Sequence, residues 1–432
     1  MAPMVDAQQK RIQAADAAIV DISKRINILA RLAWSPAVER EFLEGWQAGQ
    51  PRNPTVDYAP GDDDARRRRL MSVAESLDPT DPLEAFLAAN ARSFADACEL
   101  LAVAGTKDAG LVSERIYGSP RDVLSGTDAR SLDAARHFMS DADAYYRSHL
   151  AEAHDYCLPA ETLRVDLEAS ARKVLVDHAV DVVVDPGLVS KAAAGAKRVR
   201  LRAGTCFTEY DLDQLLQHEV FVHSLTAING ATQPLLHSMG RGAPRTTKTQ
   251  EGLATFAELV TGAMDVARLE RLAMRVEAID RAMSGADFVE VFRYFVEEGQ
   301  PPFEGFNSTM RVFRGVPTSG GCAFTKDAVY LHGLMEVHTF FRWALARGRL
   351  EVTRHLFAGR MTLGDTVRLA PYFDDGRLAP PRYLPPWMTR TNGLAAYLAF
   401  SVFSNRVFAD DLQGELDHDD VSMGGSADNR SA

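Results

Sequence analysis

The sequence predicts a mainly α-helical protein with one small β-sheet, an α+β fold weighted towards helix. Three observations predict it. Apolar residues recur at threes and fours, as in Ile19, Ile22, Ile26 and Leu29, which marks one buried helix face. Strand patterns are confined to two short runs, Asp181–Asp185 (DVVVD) and Arg198–Arg202 (RVRLR), the first β-branched and the second alternating. After Thr208 the helical pattern continues almost unbroken to about Ala358.

Taken in order, residues 7–33 read as helix. Gly49 to Asp64 is rich in Pro, Gly and Asp, which is loop chemistry. Arg66 to Arg69 follow three aspartates and read as a solvated helix start rather than a nucleic-acid patch. Asp81 to His149 is helical with breaks near Gly118 and Gly126, and a further helix fits Glu161 to His178 after Pro159. The first strand ends at Pro186-Gly187. From Asp410 the chain is rich in Asp, Gly and Ser and nearly free of apolar residues, so an acidic disordered tail is expected. The expected organisation is a helical N-terminal region over 1–150 packed on a main domain over 151–409, then the tail over 410–432.

A length of 432 residues is enough to bury a sizeable core without staples. The formal charge of -11 argues against a phosphate backbone as the main partner, so no nucleic-acid partner is expected. Such a field tolerates a substrate of some positive character best. Cys98, Cys157, Cys206 and Cys322 are scattered without a CxxC pair. This argues against a zinc ribbon and a disulfide framework and fits a reducing compartment. No secretory h-region and no run of about 18 apolar residues is visible, so no membrane span is expected and a cytoplasmic location is the default.

The strongest chemical signal lies in Asp211 to Thr226, where Leu212, Leu215 and Leu216 give an apolar helix face. Within it, His218-Glu219-Val220-Phe221-Val222-His223 reads H-E-x-x-x-H, one residue longer than the common zinc helix. In an ideal α-helix, positions five apart point about 140° away from each other. Two histidines at that spacing meet at one ion only if the helix widens locally, as a π-bulge would do, so a bulge or irregular turn is expected between His218 and His223. Zinc takes imidazole nitrogen and carboxylate oxygen in a tetrahedral shell. The best third ligand is Glu251 in Thr249-Gln250-Glu251-Gly252-Leu253-Ala254, at the start of the next apolar helix, where the helix dipole favours a carboxylate. Glu219, beside His218, is the candidate general base. On this motif alone, two core histidines on an apolar helix remain the plain alternative.

Four segments occur in one order: Gln217-HEVFVHS-Leu225, Gln250-EGLA-Thr255, Arg311-VFRG-Val316 and Phe324-TKDAVYLHG-Leu334. Together they resemble the flavohemoglobin expression-modulating QEGLA-motif proteins of bacteria. Those are related to the eukaryotic microtubule-associated tyrosine carboxypeptidases, which remove the C-terminal tyrosine of α-tubulin. The resemblance covers roughly Leu163 to Val407. It implies a zincin-like metallopeptidase core with one Zn2+ ion on His218, His223 and Glu251, Glu219 as general base, and a peptide or protein C-terminus as substrate. The tubulin substrate belongs to the eukaryotic branch.

Other candidates follow. Arg311 and Arg314 stand three apart, so on a helix they share a face and form an anchor for a C-terminal carboxylate, or an exposed ion pair with nearby acids. Lys326 and Tyr330, four apart after a capping Thr325, are catalytic candidates for oxyanion stabilisation; otherwise Lys326 is a surface residue and Tyr330 a core one. Arg198 to Arg202 is a candidate edge strand for pairing with substrate, with Arg202 as a substrate-binding residue, or a small structural sheet. The loop Gly230 to Lys248 is a candidate cleft wall carrying His237, Arg241, Arg245 and Lys248, with His237 as a remote option for a fourth ligand. Glu258, two turns beyond Glu251, either orients a ligand or is exposed. A dipeptidyl- or aminopeptidase-type zinc peptidase and a non-catalytic, metal-stabilised regulatory protein are the rival readings.

Overall fold

The computed structural model describes residues 2–148, 157–188 and 191–404; the expected acidic tail lies outside them. Among the described residues helices dominate, and the sheet has three short strands. The helices needed below are α1 (Ala2–Ser23), α2 (Pro82–Ala102), α3 (Lys107–Tyr117), α4 (Ser131–Ser148), α5 (Ala160–Val174), α6 (Glu209–Leu215), α7 (Leu225–Ala231), α8 (Thr247–Val260), α9 (Val266–Met283), α10 (Phe288–Glu297), α11 (Pro302–Phe313), α12 (Val329–Ala346) and α13 (Thr391–Ser404). Among the described residues no helix is long and apolar enough to cross a membrane.

The two expected strands form where the pattern put them, β1 at Asp181–Asp185 and β3 at Arg198–Arg202. Between them Ala192–Ala194 forms β2, which sequence reading missed. Three alanines carry no β-propensity, so only pairing makes them a strand. The order is β1-β3-β2, with β1 parallel and β2 antiparallel to β3. Arg198–Arg202 is therefore the central strand and has no open edge. The edge beside the site belongs to β2.

A second expectation fails at the cysteines. Cys157 and Cys206, 49 residues apart, are disulfide-bonded, while Cys98 and Cys322 are free and buried. Spacing gives no hint of this pair; an antiparallel bridge between Leu158 and Phe207 brings the two together. The inference of a reducing compartment from scattered cysteines loses its footing.

The N-terminal helices share cores with the rest of the chain. Leu100, Val112 and Tyr117 pack with Phe292, Phe313 and Phe324, and Phe86 and Phe94 pack with Met239 and Phe373. Each buried phenylalanine of this kind contributes about 1.5–3 kcal/mol relative to an exposed one. A third cluster joins the sheet, through Val182, Val199 and Leu201, to Val220 and Val222, to Leu253 and Phe256 of α8 and to Phe341 of α12. The candidate ligands lie on the elements held by this third cluster.

Candidate active site

Thr208 starts α6 with a capping box: its hydroxyl oxygen accepts from the Asp211 N–H, and the Asp211 carboxylate accepts from the Thr208 N–H at 2.7 Å. The helix then widens into a π-helix over Leu216–Ser224, which contains the whole of His218–His223. The wider i→i+5 turn brings residues five apart back towards one face, as the motif requires. Neighbours take up backbone carbonyls in and after the wide turns. Thr226 Oγ1 donates to Val222 O at 2.7 Å and Arg360 Nη2 donates to His223 O at 3.2 Å. Ser224 Oγ donates to Gly195 O at 2.9 Å, which ties the π-helix to the end of β2.

The two imidazoles converge. Their ring centres are 4.8 Å apart and their planes nearly perpendicular at 84°. His218 Nε2 lies 3.4 Å, and His223 Nε2 3.3 Å, from the same oxygen, Glu251 Oε2. Donors on a tetrahedral zinc with bonds of about 2.0–2.1 Å sit about 3.3 Å from one another. Two nitrogens and a carboxylate oxygen, all within 4.8 Å of one another, fit a zinc ion in donor type, and the two nitrogen-to-oxygen spacings match those of a tetrahedral shell.

Two of the three donors are braced from behind. Glu258 Oε1 lies 2.6 Å from His218 Nδ1, which turns Nε2 towards the common point. Glu258 is fully buried, so of its two readings, orienting a ligand or standing exposed, the first is the one its position fits. Glu251 Oε1 accepts from Lys326 Nζ at 2.9 Å, leaving Oε2 for the histidines. Glu251 lies one turn inside α8 rather than at its start, so its charge is balanced by Lys326 more than by the helix dipole. Burial alone would raise the Glu251 pKa, yet Lys326 and the two histidines hold it well below the ordinary carboxylate range. Burial likewise opposes charge on His218, but hydrogen bonds to Glu251 and Glu258 outweigh it and raise its pKa to about 10.

These groups open on a cleft of about 600 Å³ that Glu219, β2, Tyr330 and Arg360 also line. Arg241, Arg311, Arg314, Lys326 and Arg360 face it, against the carboxylates of Glu219, Glu251 and Asp327. The cleft therefore carries an excess of cationic groups, although the chain is acidic. The net charge pointed to a substrate of positive character; the local field favours a negative one.

The expected anchor pair separates into two roles. Arg311 grips Asp327 through Nε and Nη2 at 2.5 and 2.8 Å. Arg314 lies past the end of α11 in extended conformation, so the two do not share a helix face. Its Nε is buried with no hydrogen-bond partner among the described residues. Lys326 is committed to Glu251 and sits 5.1 Å over the Tyr330 ring, which in turn lies parallel to His218 at 6.3 Å. Thr325 does not cap its own helix; its N–H donates to Ser113 Oγ of α3 at 2.8 Å.

Other candidates fall elsewhere. Arg202 bonds Glu304 and Thr205, each at 2.6 Å, and is not among the residues lining the cleft. The Gly230–Lys248 segment does form a cleft wall through Gly240, Arg241 and Gly242, but His237 faces a separate groove beside α1. Arg245 and Lys248 turn away, to Asp365 and Glu336. Sequence reading missed Arg360 and Gln250. Arg360 Nε and Gln250 Nε2, in the cleft lining, are further buried donors without partners among the described residues. Gln250 stood next to a candidate ligand inside a quoted motif, which was a usable signal. Arg360 has no local pattern and could be found only in space.

The profile of the microtubule-associated tyrosine carboxypeptidase family matches residues 40–406. Among curated relatives, microtubule-associated tyrosine carboxypeptidase 1 of Mus musculus is 27% identical over 170 residues, covering 38% of this chain and 34% of its own length. The Homo sapiens protein of the same name is 27% identical over 177 residues, covering 39% and 36%. The aligned stretch is thus about a third of those relatives, whereas the profile spans most of this sequence, and on that match the chain belongs to the microtubule-associated tyrosine carboxypeptidase family.

Proposed function

We propose that this protein is a zinc-dependent carboxypeptidase that removes a C-terminal residue from a peptide or protein. The observation that carries the reading is the convergence of His218, His223 and Glu251, with donor atoms all within 4.8 Å of one another, in the cleft that also holds Glu219 and the arginine donors without partners among the described residues. Zinc held there supplies Lewis-acid polarisation of a carbonyl and acidifies water. Glu219 takes a proton from the attacking water on its carboxylate and delivers it to the departing amine. Tyr330, beside His218, offers a hydroxyl to the developing oxyanion. Lys326 acts on the ligand Glu251, neutralising and orienting it. Arg314 Nε and Arg360 Nε donate to acceptor-rich groups of the substrate, the terminal carboxylate first among them. Phe94, Tyr117 and Phe324 give the cleft an aromatic wall, which suits the tyrosine in the relatives' names. Pairing of the substrate backbone is assigned to Ala194 on the β2 edge, whose N–H and C=O point away from β3. The relatives' association with microtubules is not carried over, because the alignment covers about a third of them.

A dipeptidyl- or aminopeptidase needs free carboxylates for a substrate amine, and Glu251 and Asp327 are already held by cations. A purely structural metal site has no use for Glu219. Metal analysis and a peptide library with varied C-termini test the proposal. One zinc per chain is expected, with release of single C-terminal residues and weak cleavage of C-terminally amidated peptides. Glu219→Gln should keep the zinc and lose about 10²–10⁴-fold in kcat. Equal turnover by wild type and Glu219→Gln would sink the peptidase reading.

A further inference from the structure

We infer that Arg268 is a positioning residue for the metal site, acting through Glu258 on His218; the inference rests on the zinc reading above. Arg268 lies in the first turn of α9, on neither helix that bears ligands. Its backbone N–H donates to the capping carboxylate of Asp265 at 2.6 Å, which fixes where that turn begins. Its guanidinium then grips both oxygens of Glu258, Nε to Oε2 at 3.0 Å and Nη2 to Oε1 at 3.1 Å. The Oε1 oxygen so held is the one 2.6 Å from His218 Nδ1.

The physical reason is orientation of a charge that has no other support. Glu258 is 0% exposed, so water cannot fix its carboxylate plane. A single contact to His218 would leave that plane free to rotate, and the imidazole with it. A two-point arginine fork removes the rotation, which a lysine point charge cannot do. The relay runs Arg268, Glu258, His218, and its far end is the Nε2 that would ligate the ion. A third helix, packed against α4 of the N-terminal region through the cluster of Ala135 with Ala273 and Val276, thereby sets the aim of a ligand on the π-helix.

Partners that orient metal-ligating histidines are worth about 10–100-fold in metal affinity. The test measures zinc affinity of the full chain by competition with a chromophoric chelator. Arg268→Gln should bind zinc about 10–100-fold more weakly than wild type, and Arg268→Lys should recover only part of the loss. In the Glu258→Gln background the same Arg268→Gln change should alter affinity by less than about threefold, because the relay is already cut. Should Arg268→Gln fail to fold in circular dichroism, Arg268→Met/Glu258→Gln leaves no unpaired buried charge, and its zinc affinity should equal that of Glu258→Gln alone. Wild-type affinity in a folded Arg268→Gln protein overturns the inference, and so does an equal loss with and without Glu258. A wild-type protein that binds no zinc overturns the zinc reading instead, before any variant is compared.

Discussion

Arg311 and Arg314 differ in what they already hold. Arg311 spends both its fork nitrogens on Asp327, whereas Arg314 Nε is buried with nothing to donate to. A buried donor left unpaired is costly, and on the proposed function a substrate carboxylate would relieve that cost. Hydrogen bonds to charged groups contribute about 1.5–3 kcal/mol. Arg314→Gln should therefore lower kcat/KM about ten- to a hundredfold for a peptide with a free C-terminus, mostly through KM. Against the amidated peptide the two proteins should be alike. An equal loss on both peptides would assign Arg314 to structure. Sequence reading found this arginine but could not separate it from Arg311, since spacing says where a side chain starts and not which acid meets it.

At the scale of elements, the glycines of two motifs explain one helix crossing. A Cβ built on Gly252 of the E-G-L-A segment would lie 2.3 Å from the Gly333 carbonyl, and one on Gly333 would lie 2.3 Å from Lys248 O. Helices α8 and α12 thus touch backbone to backbone, one residue from Glu251. Gly252→Ala must push them apart, at a cost of about 3 kcal/mol. Its melting temperature should fall, and zinc occupancy should fall with it as Glu251 moves; an unchanged melting temperature would contradict the close crossing. The π-helix was legible from sequence because H-E-x-x-x-H cannot serve one ion on an α-helix. The edge strand β2 was not, because Ala-Ala-Ala becomes a strand only beside β3.

Over the whole molecule, buried charges tie distant segments together. Asp327 receives Arg311 from α11 and, at 3.9 Å, Arg275 from α9. Burial alone would raise its pKa above the ordinary 3.8, but these arginines hold it below that value. A carboxylate with a depressed folded-state pKa stabilises the protein fully above its unfolded value and less as pH falls beneath it. Removing one partner of such a pair costs about 3–5 kcal/mol at neutral pH. Asp327→Asn should accordingly unfold at lower urea than wild type at pH 7. The gap should hold down to about pH 4 and then narrow steadily as pH falls further, because the folded-state pKa lies well below the unfolded value. A gap independent of pH would mean that Asp327 contributes by shape and not by charge.

The sequence by itself determined the helical class and two of the described strands, and its motifs, taken with the family resemblance, pointed to the four residues of the proposed chemistry. Periodicity and motif spacing are local properties, and the π-helix follows from a local geometric conflict. Tertiary structure decided the rest. It made Arg198–Arg202 a central strand, bonded Cys157 to Cys206, engaged Arg311 and Lys326 with acids, and brought Arg360 and Arg268 to the site. Those outcomes depend on which partner lies across a packed interface, and no pattern along the chain encodes that.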